Sequence, residues 1–141
     1  MQDIKKIELG PGLWHHEGFT SVDIEEKYNP DILGNFRDME FSGLEEIRAY
    51  HLLEHFSEKE AIDVLKQWHS WLKVGGLLNV EVPDFEGMCY YFLNDVRCWG
   101  KKDEMVMHAY GSQEADWAFH RSGWYKEKFE KVLKEIGFNI E

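Results

Sequence analysis

The sequence predicts an α/β fold in which a mostly parallel sheet is covered by helices. Two observations carry this prediction: several short apolar runs have the length of strands, and two of the segments between them have helical periodicity. Strands that alternate with helical connections favour a parallel sheet with helices on its faces. A chain of 141 residues without an internal repeat or a linker is expected to form one domain, 1–141.

The predicted strands are apolar runs bounded by glycine, proline or charged turns. They occupy 4–9, 19–24, 31–36, 46–50 and 77–82. The stretch 85–122 holds many aromatic and methionine residues without a clean period, and we expect it to form a loop with one or two helices.

Two helices are predicted from capping residues and apolar spacing. The first begins at Ser57, where Glu60 completes a capping box, and the glycine pair at 75–76 is expected to end it. Its tryptophans, Trp68 and Trp71, lie at core spacing, so burial explains them without any ligand. The second runs from about 125 to 136 and ends at Gly137.

Composition excludes several classes of protein. With 16 Lys and Arg against 27 Asp and Glu, the formal charge of −11 opposes binding to nucleic acid or to an anionic membrane surface. Hydrophobic residues at 43% exclude a disordered chain, and no apolar run is long enough to span a bilayer. Cys89 and Cys98 fit neither a disulfide framework nor a paired metal motif. These features together predict a cytoplasmic protein without nucleic-acid or membrane partners.

A candidate site lies where the first two strands end. The first strand runs into Gly10-Pro11-Gly12, a turn that brings backbone amides to the sheet edge where α/β folds bind ligands. Asp23 ends the second strand, where a carboxylate can accept hydrogen bonds from a ribose diol. A solvated strand-end carboxylate is the alternative, and the histidines 15 and 16 in the loop between are interpreted as solvated.

These residues belong to a longer pattern, which resembles a known family. The segments IELGPG at 7–12 and GFTSVDI at 18–24 resemble the opening of class I S-adenosylmethionine-dependent methyltransferases. They are most similar to a small bacterial and viral group with the motifs LGCG and GWxNVD. HLLEHF at 51–56, LKVGGL at 72–77, VEVPD at 80–84 and the residues around His120 continue the resemblance in order.

The resemblance implies a Rossmann-like three-layer sandwich and a cofactor, S-adenosylmethionine, that leaves as S-adenosylhomocysteine. Glu8 would lie near the cofactor's ammonium group, Asp23 would hold the ribose hydroxyls, and Ile24 would pack on the adenine. Asn35 and Phe36 would lie beside the adenine amino group. The implied cofactor-binding residues are therefore Glu8, Gly10, Gly12, Asp23, Ile24, Asn35, Phe36 and His51.

The methyl acceptor is expected to be a small or sugar-like molecule. His51 and His120 are the candidate catalytic bases, since imidazole titrates near neutral pH. A polar and aromatic cluster supplies the candidate substrate-binding residues Tyr110, Gln113 and His120. Proline at 11 and asparagine at 35 depart from the family pattern, which keeps an alternative open: a catalytically inactive methyltransferase-like binding module that acts through a partner.

A third interpretation is a zinc hydrolase, because 51–55 also spells H-x-x-E-H. That motif needs a helix through His51 and His55, whereas a strand precedes it and a helix cap follows at Ser57, so no metal is expected.

The chain also stops at the start of the family's sixth strand, which predicts a shortened sheet whose last residues form at most one strand. An exposed sheet edge favours pairing, and a homodimer is one expectation.

Overall fold

The chain folds around a five-stranded sheet in which every neighbouring pair of strands is parallel. A computed structural model describes residues 4–94 and 99–141, so Cys98 lies outside the described residues. The sheet order is β3-β2-β1-β4-β5. These strands are β1 (Lys6–Leu9), β2 (Thr20–Asp23), β3 (Ile32–Leu33), β4 (Leu44–Tyr50) and β5 (Leu72–Glu81). The predicted α/β class is confirmed.

The strand order reverses beside β1. The chain goes from β1 outward to β2 and β3 and then returns to the other side of β1 as β4. At such a switch point the loops leave in opposite directions and open a crevice at the carboxyl ends of the strands. Residues 10–19, which join β1 to β2, contain no helix, as the short step between the glycine turn and Asp23 predicts.

The described residues contain four α-helices, which are α1 (Glu58–Trp71), α2 (Phe85–Asn94), α3 (Trp99–Tyr110) and α4 (Lys126–Ile136). The capping box at the start of α1 is confirmed: the Ser57 amide and hydroxyl donate to the Glu60 carboxylate at 3.0 and 2.7 Å. The end of α4 is also as predicted, because the Gly137 amide donates to the carbonyls of Leu133 and Lys134.

The predicted end of the first helix was wrong. Helix α1 stops at Trp71 and β5 begins at the next residue, so the glycine pair 75–76 lies inside the strand. The register of β4 with β5 shifts between the pairs Leu44–Leu72 and Glu46–Leu77, which marks a bulge. The glycine pair therefore lies at the bulge between β4 and β5 and does not end a helix.

By contacts, the described chain divides into two compact units. The first comprises residues up to Leu52 together with Val64–Glu81, and it contains the whole sheet. Its core includes Trp68 and Trp71, both fully buried as predicted, with Phe36 packed against them at ring distances of 5.9 and 6.5 Å.

The second unit comprises Leu53–Asp63 and Val82–Glu141. It contains α2, α3 and α4, with two short 3-10 helices at Leu53–His55 and Asp116–Ala118. Residues 138–141 form no strand, and the expectation was at most one. None of the helices in the described ranges combines the length and apolarity that crossing a membrane requires.

Candidate functional site

A cavity of about 550 Å³ opens at the carboxyl ends of β1, β4 and β5. This size is within the usual range for small-molecule sites, and the location is the switch point of the sheet. All of its lining residues belong to the first unit. They are Glu8, Leu9, Gly10, Pro11, Gly12, Leu13, Trp14, His16, Tyr28, Arg48, Tyr50, His51 and Glu81.

Two residues of opposite charge line the cavity from adjacent strands. Glu8 on β1 and Arg48 on β4 are register partners, and the carboxylate of Glu8 is only 2% exposed. The Arg48 guanidinium lies 4.3 Å from the centre of the Phe19 ring and 3.6 Å from a Glu46 oxygen. Its buried Nε atom has no hydrogen-bond acceptor among the described residues. The cavity therefore offers both an anion and a cation to one ligand.

The loop after β1 folds back onto Glu8. The backbone amide of His16 donates to the Glu8 carboxylate at 3.1 Å, and the His16 ring contacts the same carboxylate through Nδ1 at 2.8 Å. His16 is exposed, as the sequence predicts, and it nevertheless contacts the buried carboxylate of Glu8. A buried carboxylate needs hydrogen-bond partners, and the amide and the imidazole of His16 supply two of them, which leaves further acceptor positions on Glu8.

The glycine turn after β1 has a left-handed backbone at two positions. Gly10 and Gly12 both have φ of +58°, a left-handed conformation that costs other residues energy. A side chain on Gly10 would also approach Leu52, whose Cδ1 would lie 3.0 Å from its Cβ. These glycines let bare backbone line the cavity.

Asp23 braces this turn from the end of β2. Its Oδ2 accepts a hydrogen bond from the Gly12 amide at 3.2 Å, and its Oδ1 accepts one from the Glu25 amide at 2.9 Å. The side chain is buried and is not among the residues that line the cavity. These two hydrogen bonds hold the Asp23 carboxylate beside the cavity and at the same time stabilise the loop after β1.

The other residues assigned to the adenine end are spread more widely. Ile24 is 51% exposed, and Asn35 caps a 3-10 helix by accepting from the Arg37 amide at 3.0 Å. Phe36 is buried in the tryptophan core. None of these three side chains lines the cavity.

His51 lies at the cavity rim with its backbone in a left-handed conformation, φ +52°. Its amide donates to the Glu81 carbonyl at 2.9 Å, and its ring Nε2 lies 3.0 Å from Oε1 of the Glu81 carboxylate. Strained backbone of this kind persists where surrounding contacts hold it and is typical of functional sites. The contact pairs an imidazole with a carboxylate that can orient it.

The candidate substrate-binding residues Tyr110, Gln113 and His120 all belong to the second unit. The His120 amide donates to the Tyr110 carbonyl at 3.1 Å, so the backbone brings these two residues together. The Tyr110 side chain is exposed, and Gln113 has a left-handed backbone with φ +58°.

Sequence reasoning missed Arg48 and Glu81. Arg48 follows from strand alternation: it stands between the buried residues Ile47 and Ala49, so it points to the face opposite theirs. Its pairing with Glu8 depends on the register of β1 with β4, which no local pattern reveals.

The fold and cavity define a Rossmann-like α/β protein with a ligand cavity at its switch point. Among solved structures, that of the mitomycin 7-O-methyltransferase MmcR is similar to this chain, with a TM-score of 0.58 and 12% sequence identity. The similarity covers 96% of this chain and 43% of MmcR, so this chain spans less than half of that protein. It establishes a methyltransferase-like fold. No family model matches the chain, and no curated protein matches its sequence.

Proposed function

We propose that this protein is a methyltransferase that takes its methyl group from S-adenosylmethionine and transfers it to a small or sugar-like acceptor. One observation carries the proposal: Glu8 and Arg48 present opposite charges in register inside the switch-point cavity. The fold shared with a methyltransferase and the motif resemblance of the sequence support it.

The residues of the cavity fit the charges of this cofactor. Its methionine end carries an ammonium and a carboxylate, which match the Glu8 carboxylate and the Arg48 guanidinium. Trp14, Tyr28 and Tyr50 add aromatic faces, which attract cations and stack on flat rings. Asp23 remains the proposed partner of the ribose hydroxyls. It would contact them from its position beside Gly12, whose amide it already binds.

When bound, the cofactor supplies a methyl group activated by a sulfonium. The contribution of the protein is to hold and align the reacting groups. His51 is the proposed base for an acceptor that must lose a proton. In the neutral tautomer that donates from Nε2 to Glu81, Nδ1 is the basic atom, and the carboxylate stabilises the imidazolium that forms.

Calorimetric titration of the native chain with S-adenosylmethionine and S-adenosylhomocysteine tests the cofactor. We expect saturable binding that Arg48→Met weakens by about 30-fold or more, because a charge-assisted contact is lost. Asp23→Ala should weaken it similarly. Arg37→Met and Asp38→Ala, at two exposed positions of the 3-10 helix Phe36–Asp38, are the matched controls and should leave affinity within about twofold. A folded native chain that binds neither compound overturns the proposal.

Turnover separates an enzyme from a binding module. A screen of acceptors that follows S-adenosylhomocysteine formation should yield an active class, and His51→Ala and Glu81→Gln should then lower turnover and change its pH profile. Cofactor binding without turnover on any class would favour the inactive module that acts through a partner. Unchanged turnover in His51→Ala would remove this residue from the mechanism.

A further inference from the structure

Three potential metal ligands converge in the second unit. One ligand atom each from Glu54, His55 and His120 lies within 4.8 Å of the others. The Glu54 carboxylate is 1% exposed, and its Oε1 lies 4.0 Å from Nε2 of His120. The rings of His55 and His120 approach edge to face, with centroids 4.9 Å apart. The cluster combines a buried carboxylate with two partly buried imidazoles.

Contacts with backbone carbonyls leave one ring nitrogen of each histidine available to bind a metal ion. Nδ1 of His120 lies 2.6 Å from the His108 carbonyl oxygen, and Nδ1 of His55 lies 3.3 Å from that of Phe119. A carbonyl oxygen only accepts, so Nδ1 carries the proton in both rings. In a neutral imidazole the lone pair then belongs to Nε2. Metal-binding histidines usually have this arrangement, in which a backbone carbonyl holds the nitrogen remote from the metal.

The scaffold of the cluster is built from main-chain contacts between distant segments. The Glu54 carbonyl accepts from the amides of Arg121 and Ser122 at 2.7 and 3.2 Å. Gly111 packs so closely that an added Cβ would overlap the Ala118 carbonyl oxygen and approach His120 to 3.0 Å. The segments that carry the three side chains are thus fixed by backbone geometry, which suits a preformed site.

We propose that Glu54, His55 and His120 bind a divalent transition-metal ion, with Zn²⁺ as the ion that best matches the ligand set. Two imidazoles and one carboxylate are a donor set that zinc accepts, and the remaining positions go to water or to an oxygen ligand. Ligand atoms 2.0 Å from a tetrahedral ion are separated by about 3.3 Å, so the side chains must bring the ligand atoms closer by up to about 1.5 Å when the ion binds. The site shares no residue with the proposed cofactor cavity and stands independently of it.

The sequence motif H-x-x-E-H has its two histidines, His51 and His55, as metal ligands, and only His55 belongs to this cluster. Only a short 3-10 helix, Leu53–His55, forms there, and His51 instead contacts Glu81 in the first unit. His120 takes the third position, and its distance along the chain hides it from any local motif.

Competition between tag-free protein and a chromophoric zinc chelator tests the site. We expect one Zn²⁺ per chain and a loss of affinity of at least about tenfold in His55→Ala and in His120→Ala. His69→Ala and His15→Ala, which remove histidines outside the cluster, should bind as the native chain does. Mg²⁺ should not compete, since it prefers oxygen ligands. The absence of stoichiometric zinc binding by the native chain, or equal binding by all variants, overturns the proposal.

A second readout uses the native chain alone and so does not depend on the folding of variants. Co²⁺ in the site should produce two exchangeable imidazole proton signals with large paramagnetic shifts, one from each Nδ1–H. Two such signals, displaced by Zn²⁺, support coordination through Nε2 of both rings. Cobalt binding without shifted exchangeable imidazole signals would contradict this ligand set.

Discussion

Two buried glutamates, Glu8 and Glu54, have different neighbours although both are almost fully shielded from solvent. Glu8 lies beside Arg48 on the adjacent strand and contacts the nearby loop residue His16. Glu54 lies between imidazoles, one adjacent in sequence and one far along the chain. Burial alone therefore does not specify a function, because the neighbouring groups decide which ligand a carboxylate can help to bind. We propose a zwitterion as the ligand in the first case and a metal ion in the second.

Exchanging each glutamate for glutamine gives the largest expected effects and separates the two sites. Glu8→Gln removes the charge that would bind an ammonium and should weaken S-adenosylhomocysteine binding by about 100-fold while zinc affinity is unchanged. Glu54→Gln should weaken zinc binding by at least about tenfold and leave S-adenosylhomocysteine affinity unchanged. Calorimetry with each ligand measures both.

Glu17→Gln, an exposed change in the same loop as His16, is the control for altered net charge. Circular dichroism confirms that each variant is folded before its affinity is compared. If either glutamine variant weakened both ligands equally, the two carboxylates would have no separate roles and the comparison would fail.

A glycine substitution near each glutamate tests how rigid the two surroundings are. Gly111→Ala combines φ of +82° with an overlap on the Ala118 backbone and should lower the free energy of unfolding by about 2–4 kcal/mol. Gly12 has φ of +58° but open space where a Cβ would lie. Gly12→Ala should therefore lower the free energy of unfolding by only about 1–2 kcal/mol, the cost of the left-handed backbone for alanine. Urea unfolding measures both. Equal losses would show that steric overlap does not restrain the backbone near His120.

The helix cap that follows the Glu54 segment offers a smaller and more local test. Ser57→Ala removes the hydroxyl that bonds the Glu60 carboxylate at 2.7 Å and should cost about 1 kcal/mol of unfolding free energy. Ser70→Ala, on the exposed surface of the same helix, should cost less than about 0.5 kcal/mol. Zinc affinity should stay within about twofold in both. A large loss of zinc binding in Ser57→Ala would show that the metal ligands depend on this cap.

An exposed carboxylate provides the smallest effect and contrasts with both buried ones. Hydrogen bonds from the Ser21 amide and then from its hydroxyl hold the pKa of Asp31 below its ordinary value of 3.8. The ionised form therefore stabilises the fold above pH 3.8, and this contribution is lost as pH falls through the lowered pKa. Asp31→Asn should reduce the acid dependence of unfolding below pH 3.8 by less than about 1 kcal/mol, because solvent screens the group. Asp38→Asn is the control, and an equal change there would assign the effect to general charge.

Local sequence signals predicted the regular elements wherever the chain's own neighbours determine them. The Ser57–Glu60 box and the glycine after α4 act over one helical turn, so both ends were predictable. The start of β5 was not, since Leu72 pairs with Leu44 and that contact competes with the turn chemistry of the glycine pair. Tertiary pairing outweighed a local stop signal there.

The sequence by itself determined the parallel sheet, the glycine turn after β1 and the carboxylate at the end of β2, because strand period and turn chemistry are local properties. Only the tertiary structure decided which charged groups meet. Arg48 reaches Glu8 through the register of two strands, and His120 reaches Glu54 through backbone hydrogen bonds between distant segments. Both sites depend on contacts between residues far apart in the chain. A sequence pattern does not give the spatial distance between such residues.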